Sequence, residues 1–264
     1  MSTLPSFSSS GSGPLLLMLH GIGGGQAAFS RQVESFSQGG YRAAAWDMPG
    51  YGQSPMVEPY TFATLADACI RLLEHLLHGQ GGRHAEGAIL LGHSIGGMVA
   101  LEVVARRPDL VERLILCGTS PAFGKADGDW QRAFIAQRTA PLDQGLGMAD
   151  MAASLVPRMA GPQADPAGVT AAIACMGRVS QAAYRRALGA LVTFDRRADL
   201  GSIRVPTLLL AGEHDGNAPS SVMKKMAQAI PGSAYLELEG IGHLQNLEAP
   251  ERFERAVLDF LGRA

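Results

Sequence analysis

The chain is poor in the residues that build special architectures. Its three cysteines, Cys69, Cys117 and Cys175, lie far apart among 264 residues with no Cys-x-x-Cys pair. That spacing argues against a disulfide framework or a zinc cluster, and buried free thiols are the expected state. Charge is scarce and balanced, 17% of residues with a net of -2, so no basic face is available for a polyanion and no nucleic acid partner is expected. Long apolar runs are missing too. The first sustained one, Leu15 to Leu19, is far too short to cross a bilayer. The Ser/Gly-rich start, Met1 to Gly13, lacks the basic and apolar regions of a secretory signal, so no membrane association and a cytoplasmic location are expected.

What the chain does contain is core material: 47% hydrophobic residues over a length that suits one large domain, or one domain with an insertion. Leu15 to Leu19 reads as a strand buried on both faces, and Arg42 to Trp46 as a second strand running into the turn Pro49-Gly50-Tyr51-Gly52. Thr64 to Leu77 places Leu65, Cys69, Leu72, Leu73, Leu76 and Leu77 on one helical stripe. Ala88 to Leu91 then reads as strand, Ile95 to Ala105 as helix and Val111 to Cys117 as strand. This alternation predicts a parallel sheet with helices on both faces. From Ser120 to Asp199 the rhythm breaks into helical propensity, rich in Ala, Met and Arg and interrupted by Pro141, Pro157, Pro162 and Pro166. It resumes with a strand at Val205 to Leu210, a helix at Ser220 to Ile230, a strand at Ala234 to Leu238 and a helix at Pro250 to Leu261.

Gly92-His93-Ser94-Ile95-Gly96 fits G-x-S-x-G between a strand and a helix. Small residues two before and two after the serine let strand and helix approach, while the sharp turn exposes Ser94 above a helix N-terminus. His20-Gly21-Ile22-Gly23-Gly24-Gly25 follows the first strand. Its glycines let backbone N–H groups turn inward, and the amides of Ile22 and Ile95 would pair to hold an oxyanion. Neither a phosphate-loop lysine nor a dinucleotide glycine pattern accompanies this loop, and no cofactor or metal site is expected.

A serine hydroxyl needs a base, and the base a carboxylate. Of seven histidines, His75, His78 and His84 read as solvated, His93 as fixed in the turn, His20 as shaping the Gly-rich loop and His214 as a loop residue. His243, after the last strand, remains as the base. Asp215, in Gly212-Glu213-His214-Asp215 beyond a strand end, is the candidate acid, with Glu213 its rival. Gly118-Thr119-Ser120 carries no acid, and Asp47 reads as a structural turn.

Taken together, His20-Gly21, Asp47-x-x-Gly50-x-Gly52-x-Ser54, Gly92 to Gly97, Gly212 to Asp215 and Gly242-His243 resemble the α/β-hydrolase superfamily along nearly the whole chain. Gly118-Thr119-Ser120-Pro121 and the run Gly242 to Pro250 are most similar to the 3-oxoadipate enol-lactonase group and its esterase relatives. The resemblance implies an α/β-hydrolase fold, with a mostly parallel central sheet flanked by helices and a helical cap inserted after the sixth strand. Residues 1–119 and 200–264 would form the core and 120–199 the cap. It also implies a serine hydrolase that cleaves a small carboxylic ester or lactone through an acyl-enzyme. Ser94 is at odds with the relatives that use an elbow aspartate. Leu244, where carbon-carbon bond hydrolases of ring-cleavage products typically carry Trp, lowers that reading without excluding it. A ligand receptor that turns over slowly is the other alternative, and a homodimer is left open.

In the 120–199 segment, Trp130, Phe134, Met148, Met151, Met159 and Met176 could line an apolar pocket or simply pack as core. Arg138, Arg158, Arg178, Arg185 and Arg186 could meet a substrate carboxylate. Trp130, Phe134, Met151 and Arg185 stand as the candidate substrate-binding set.

Overall fold

Apolar runs without polar alternation become central strands because both of their faces are covered. The structure, a computed structural model, describes residues 4–78, 87–124 and 127–262. In chain order the first half holds β1 (Phe7–Ser10), β2 (Leu15–Leu19), α1 (Ser30–Gln38), β3 (Arg42–Trp46), α2 (Phe62–His78), β4 (Ala88–His93), α3 (Ile95–Arg106) and β5 (Val111–Cys117). Four helices follow, α4 (Gly128–Asp143), α5 (Met148–Leu155), α6 (Pro166–Gly177) and α7 (Gln181–Leu191). The chain then closes with β6 (Thr207–Gly212), α8 (Ser220–Ala229), β7 (Ala234–Leu238), α9 (Gln245–Glu248) and α10 (Pro250–Leu261). The seven strands lie in the order β1-β3-β2-β4-β5-β6-β7, with β1 antiparallel to β3 and every other pair parallel.

Successive side chains on a strand point to opposite faces, and the two cores follow from that alternation. Leu16, Met18, Ile89 and Leu91 pack with Val33 and Phe36 of α1 and Phe253 and Val257 of α10. Leu17, Leu19, Leu90 and Leu116 pack with the apolar stripes of α2, α3 and α8 on the other face. The expected mostly parallel sheet flanked by helices is what forms.

Three elements were not anticipated: β1, α1 and the four-residue α9. β1 arises inside the Ser/Gly-rich start: Ser8 pairs with Ala45 and Ser9 with Ala44, covering the N–H and C=O groups that β3 would otherwise leave open at its edge. Its serines carry no hydrophobic alternation, so only the partner strand identifies it. α1 has just Val33 and Phe36 as buried apolar residues, too few for a stripe. The helical insertion also follows the fifth strand, β5, rather than the sixth, because a single antiparallel edge strand precedes the parallel set.

Between β5 and β6 the described residues contain helices and one isolated bridge, Ala122 to Asp195, that joins the two ends of the insertion. Arg196 at its exit clasps the buried Glu102 of α3 with two hydrogen bonds of 2.7 Å. Pro141 lies within the last turn of α4 rather than ending it, and Pro166 opens α6.

Candidate active site

Ser94 sits between β4 and α3 with φ 55° and ψ −123°, the one non-glycine residue with positive φ among those described. The surrounding bonds over-determine that conformation. The Ser94 N–H donates to the Cys117 carbonyl at 2.9 Å, and the Thr119 hydroxyl donates to the Ser94 carbonyl at 2.7 Å. The flanking glycines are required by contact: a Cβ on Gly96 would stand 2.2 Å from the Leu19 carbonyl oxygen, and one on Gly92 2.5 Å from the Gly96 oxygen. Gly96→Ala is expected to destabilise the fold by about 1–3 kcal/mol, since the backbone of α3 would have to part from the end of β2; chemical denaturation checks it.

At the other end of the sheet edge, the loops after β6 and β7 run side by side. Glu213 N–H donates to Leu238 O at 3.1 Å, and His214 N–H to Ile241 O at 2.8 Å. This pairing carries Asp215 and His243 together. Asp215 Oδ1 accepts the Asn217 and Ala218 amides, each at 2.8 Å, leaving Oδ2 for His243 Nδ1 at 2.8 Å. With Nδ1–H donating to the carboxylate, Nε2 is free to accept, and it lies 3.2 Å from Ser94 Oγ. Burial pushes the Asp215 carboxyl up, but the His243 charge and hydrogen bond and the two backbone amides outweigh it and hold the group below its usual range. Asp215 and His243 are buried, while Ser94 is half-buried and faces a cavity.

The other histidines have different surroundings. His20 takes the Met48 N–H on Nε2 at 2.9 Å and donates from Nδ1 to the Gly21 carbonyl at 2.8 Å. Burial lowers its pKa to about 4, against smaller raising effects from that bond and Asp47. His93 donates from Nε2 to the His243 carbonyl at 2.7 Å, and burial, with the neighbouring His243, lowers it to about 3. His75, His78 and His214 are exposed, and His84 lies outside the described residues. Glu213, the rival acid, is exposed and accepts the Gly240 N–H at 2.8 Å. Asp47 is spent on structural ties to distant segments, accepting from the Ser6 hydroxyl, from the Gln26 N–H and from the Gln26 side chain.

The Gly-rich loop lies against the serine, for a Cβ on Gly21 would be 3.2 Å from Ser94 Cβ. Tyr51 OH donates to the Ile22 carbonyl at 2.9 Å, which fixes that peptide. Neither the Ile22 nor the Ile95 N–H meets a protein acceptor among the described residues. Two uncommitted donors therefore flank Ser94.

A cavity of about 140 Å³, open at its mouth, extends from Ser94 under the insertion. Phe123, Phe134, Met159, Met176 and Leu188 give it apolar walls, and Arg138 is the one Arg, Lys, Asp or Glu among the described residues lining it. Of the substrate-binding set, only Phe134 lines this cavity. Trp130 stands behind it, stacked on Phe134 with ring centroids 5.4 Å apart. Met151 is buried in the core, and Arg185 pairs with Asp143 at 2.5 Å. Helical spacing alone does not tell which side of a small helix faces a cavity, so these three are misplaced. Arg186 likewise pairs, with Glu58 at 2.7 Å, and Arg158 and Arg178 are exposed. Tyr184 and Asn217 also line the cavity, and no motif signals either of them.

Comparison with known proteins bears on the same fold. Residues 14–250 match the family model described as the alpha/beta hydrolase fold. The chain is 28% identical over 261 residues, 94% of this chain and 93% of the other, to a protein of Pseudomonas savastanoi pv. phaseolicola whose name assigns it provisionally as carbamate hydrolase RutD. It is 28% identical over 268 residues to the pimeloyl-acyl-carrier-protein methyl ester esterase of Vibrio vulnificus, covering 100% of both. Among solved structures, the enol-lactonase from Burkholderia xenovorans LB400 superposes with a TM-score of 0.83 at 25% identity, covering 98% of this chain and 96% of that one. Matched over most of its length by the family model and along nearly all of it by a solved relative, the chain belongs to the α/β hydrolase family and is a hydrolase of that type.

Proposed function

We propose that the protein cleaves a small carboxylic ester or lactone by two-step acyl transfer. The observation that carries the reading is the proton path from Ser94 Oγ to His243 Nε2 and from Nδ1 to Asp215, beside a largely apolar cavity that opens at its mouth. Ser94 attacks the carbonyl carbon while His243 takes its proton. Asp215 holds the imidazole in the productive tautomer and stabilises the imidazolium. The Ile22 and Ile95 amides receive the oxyanion, and the imidazolium returns its proton to the leaving oxygen. Water, activated by the same histidine, then releases the acyl group. Relatives named as a methyl ester esterase and an enol-lactonase support the ester and lactone classes. The provisional carbamate hydrolase makes a carbamate the natural third class to assay. Labelling Ser94 with a fluorophosphonate, followed by turnover on short esters, lactones and a carbamate, tests the proposal. A protein that labels but barely turns over any of them acts as a receptor instead.

Within this reading, Arg138 replaces Arg185 as the residue that would recognise a substrate carboxylate. It lines the cavity and stacks over Phe134 at 5.4 Å, and among the described residues no carboxylate neutralises it. Arg138→Gln is expected to raise KM for carboxylate-bearing esters or lactones by about 10-fold or more while sparing neutral esters. Equal effects on both substrate types would remove Arg138 from the reading.

A further inference from the structure

Glu248 lies in the run Gly242 to Pro250, and its surroundings are unusual for a carboxylate. It is buried, and no Lys or Arg pairs with it among the described residues. Its charge is met instead by peptide dipoles. Oε2 accepts both the Gly161 and the Gly242 N–H at 2.7 Å, and Oε1 accepts the Leu244 N–H at 2.7 Å. A buried, unpaired carboxylate is costly, and three charge-assisted bonds offset that cost only if their donors stay in place.

Those donors surround His243. The Gly242 and Leu244 amides flank it, and its own N–H donates to Met159 O at 2.8 Å. Three consecutive N–H groups are therefore fixed, two by Glu248 and one by the helical insertion. The same carboxylate oxygen that holds Gly242 holds Gly161 of the insertion. Further bonds run from Gln163 N–H to Gly240 O at 2.9 Å and from Asp165 N–H to Glu248 O at 2.8 Å. The two backbones touch so closely that a Cβ on Gly161 would stand 2.3 Å from Gly240 O, and one on Gly242 2.1 Å from Met159 O. No side chain can separate them.

We propose that Glu248 is a positioning residue for the His243 imidazole, clamping the backbone on both sides of it and tying that backbone to the 159–165 segment of the insertion. The inference rests on His243 acting as the base toward Ser94. Its consequence is that this part of the insertion stays seated through turnover and cannot lift as a lid without displacing the imidazole.

The test uses Glu248→Gln, which keeps the shape but sets an NH₂ against an N–H, and Glu248→Ala, which removes all three acceptors. On a neutral p-nitrophenyl ester, kcat is expected to fall by about 10²-fold in Glu248→Ala and by less in Glu248→Gln, with KM unchanged, because the misplacement falls on the base and not on the pocket. Fluorophosphonate labelling of Ser94 should slow in parallel. The downfield proton resonance of the His243 Nδ1–H bonded to Asp215 should broaden or vanish in protein whose near-UV circular dichroism matches wild type. A folded variant that keeps the labelling rate and the resonance, or that loses activity through KM alone, overturns the proposal. The resonance is read without substrate, so a wild-type protein that fails to label at Ser94 would sink the assigned chemistry while leaving the clamp measurable. If Glu248→Ala does not fold, the near-isosteric Glu248→Gln carries the test.

Discussion

Ser94→Ala is expected to cut turnover of activated esters by about 10⁴-fold or more while leaving the fold intact, the scale seen when a member of a nucleophile-base-acid unit is removed. Alanine adopts the same φ of 55° no less readily than serine, and the elbow is anchored through backbone groups that the change leaves in place. Asp215→Asn should cost a comparable factor by a different route. Its amide could present an N–H to His243 Nδ1, favouring the tautomer that places the ring proton on Nε2, where it faces the serine. Initial rates on p-nitrophenyl esters, with melting temperatures as the control for folding, decide both. Wild-type hydrolysis by a folded Ser94→Ala protein would end the assignment.

Acidification is expected to destabilise the protein steeply, because His20 and His93 are buried in the neutral form. Their folded pKa values, about 4 and about 3, lie below the ordinary 6.5. The unfolded chain therefore binds a proton on each between those limits while the folded chain does not. Stability from this source is complete above roughly pH 6.5 and falls as the pH drops toward the folded pKa values. The loss reaches about 2 kcal/mol per histidine at pH 5 and levels off as the pH passes each folded pKa. Together this is about a 10³-fold change in the unfolding equilibrium between pH 7.5 and 5. Asp215, held below its usual range, adds loss in the same direction at still lower pH. Urea midpoints measured across this window check the slope. His20→Gln should remove about half of the dependence above pH 5, and an unchanged slope in that variant would show that His20 is not the group responsible.

Much of the fold was legible because its central strands are extreme. Leu15 to Leu19 has no polar residue to place on a solvent face, so burial on both sides was the only arrangement open to it, and β2 has those bounds. Val111–Cys117, Ala234–Leu238 and Pro250–Leu261 also coincide with their expected limits. The first of these strands is bounded by turn residues, and the helix opens on Pro250. β1 was illegible for the opposite reason, since Phe7-Ser8-Ser9-Ser10 becomes a strand only where β3 offers an edge. The helical insertion was visible as a break in rhythm, but its inner face was not. Trp130, Met151 and Arg185 share the composition of Phe134, Met176 and Arg138, and only packing separates the two groups.

The sequence by itself determined the local chemistry: a strained serine between a strand and a helix, an aspartate and a histidine each just past a strand end, and glycines wherever backbones meet. Such features are set within a few residues by steric limits on φ and by side-chain size. Tertiary structure alone decided which arginine reaches the cavity, which histidines are kept neutral by burial, and that Glu248 joins the base loop to the insertion. Those outcomes depend on distances between segments far apart in the chain, and such distances are set by the packing of whole elements rather than by any neighbouring residue.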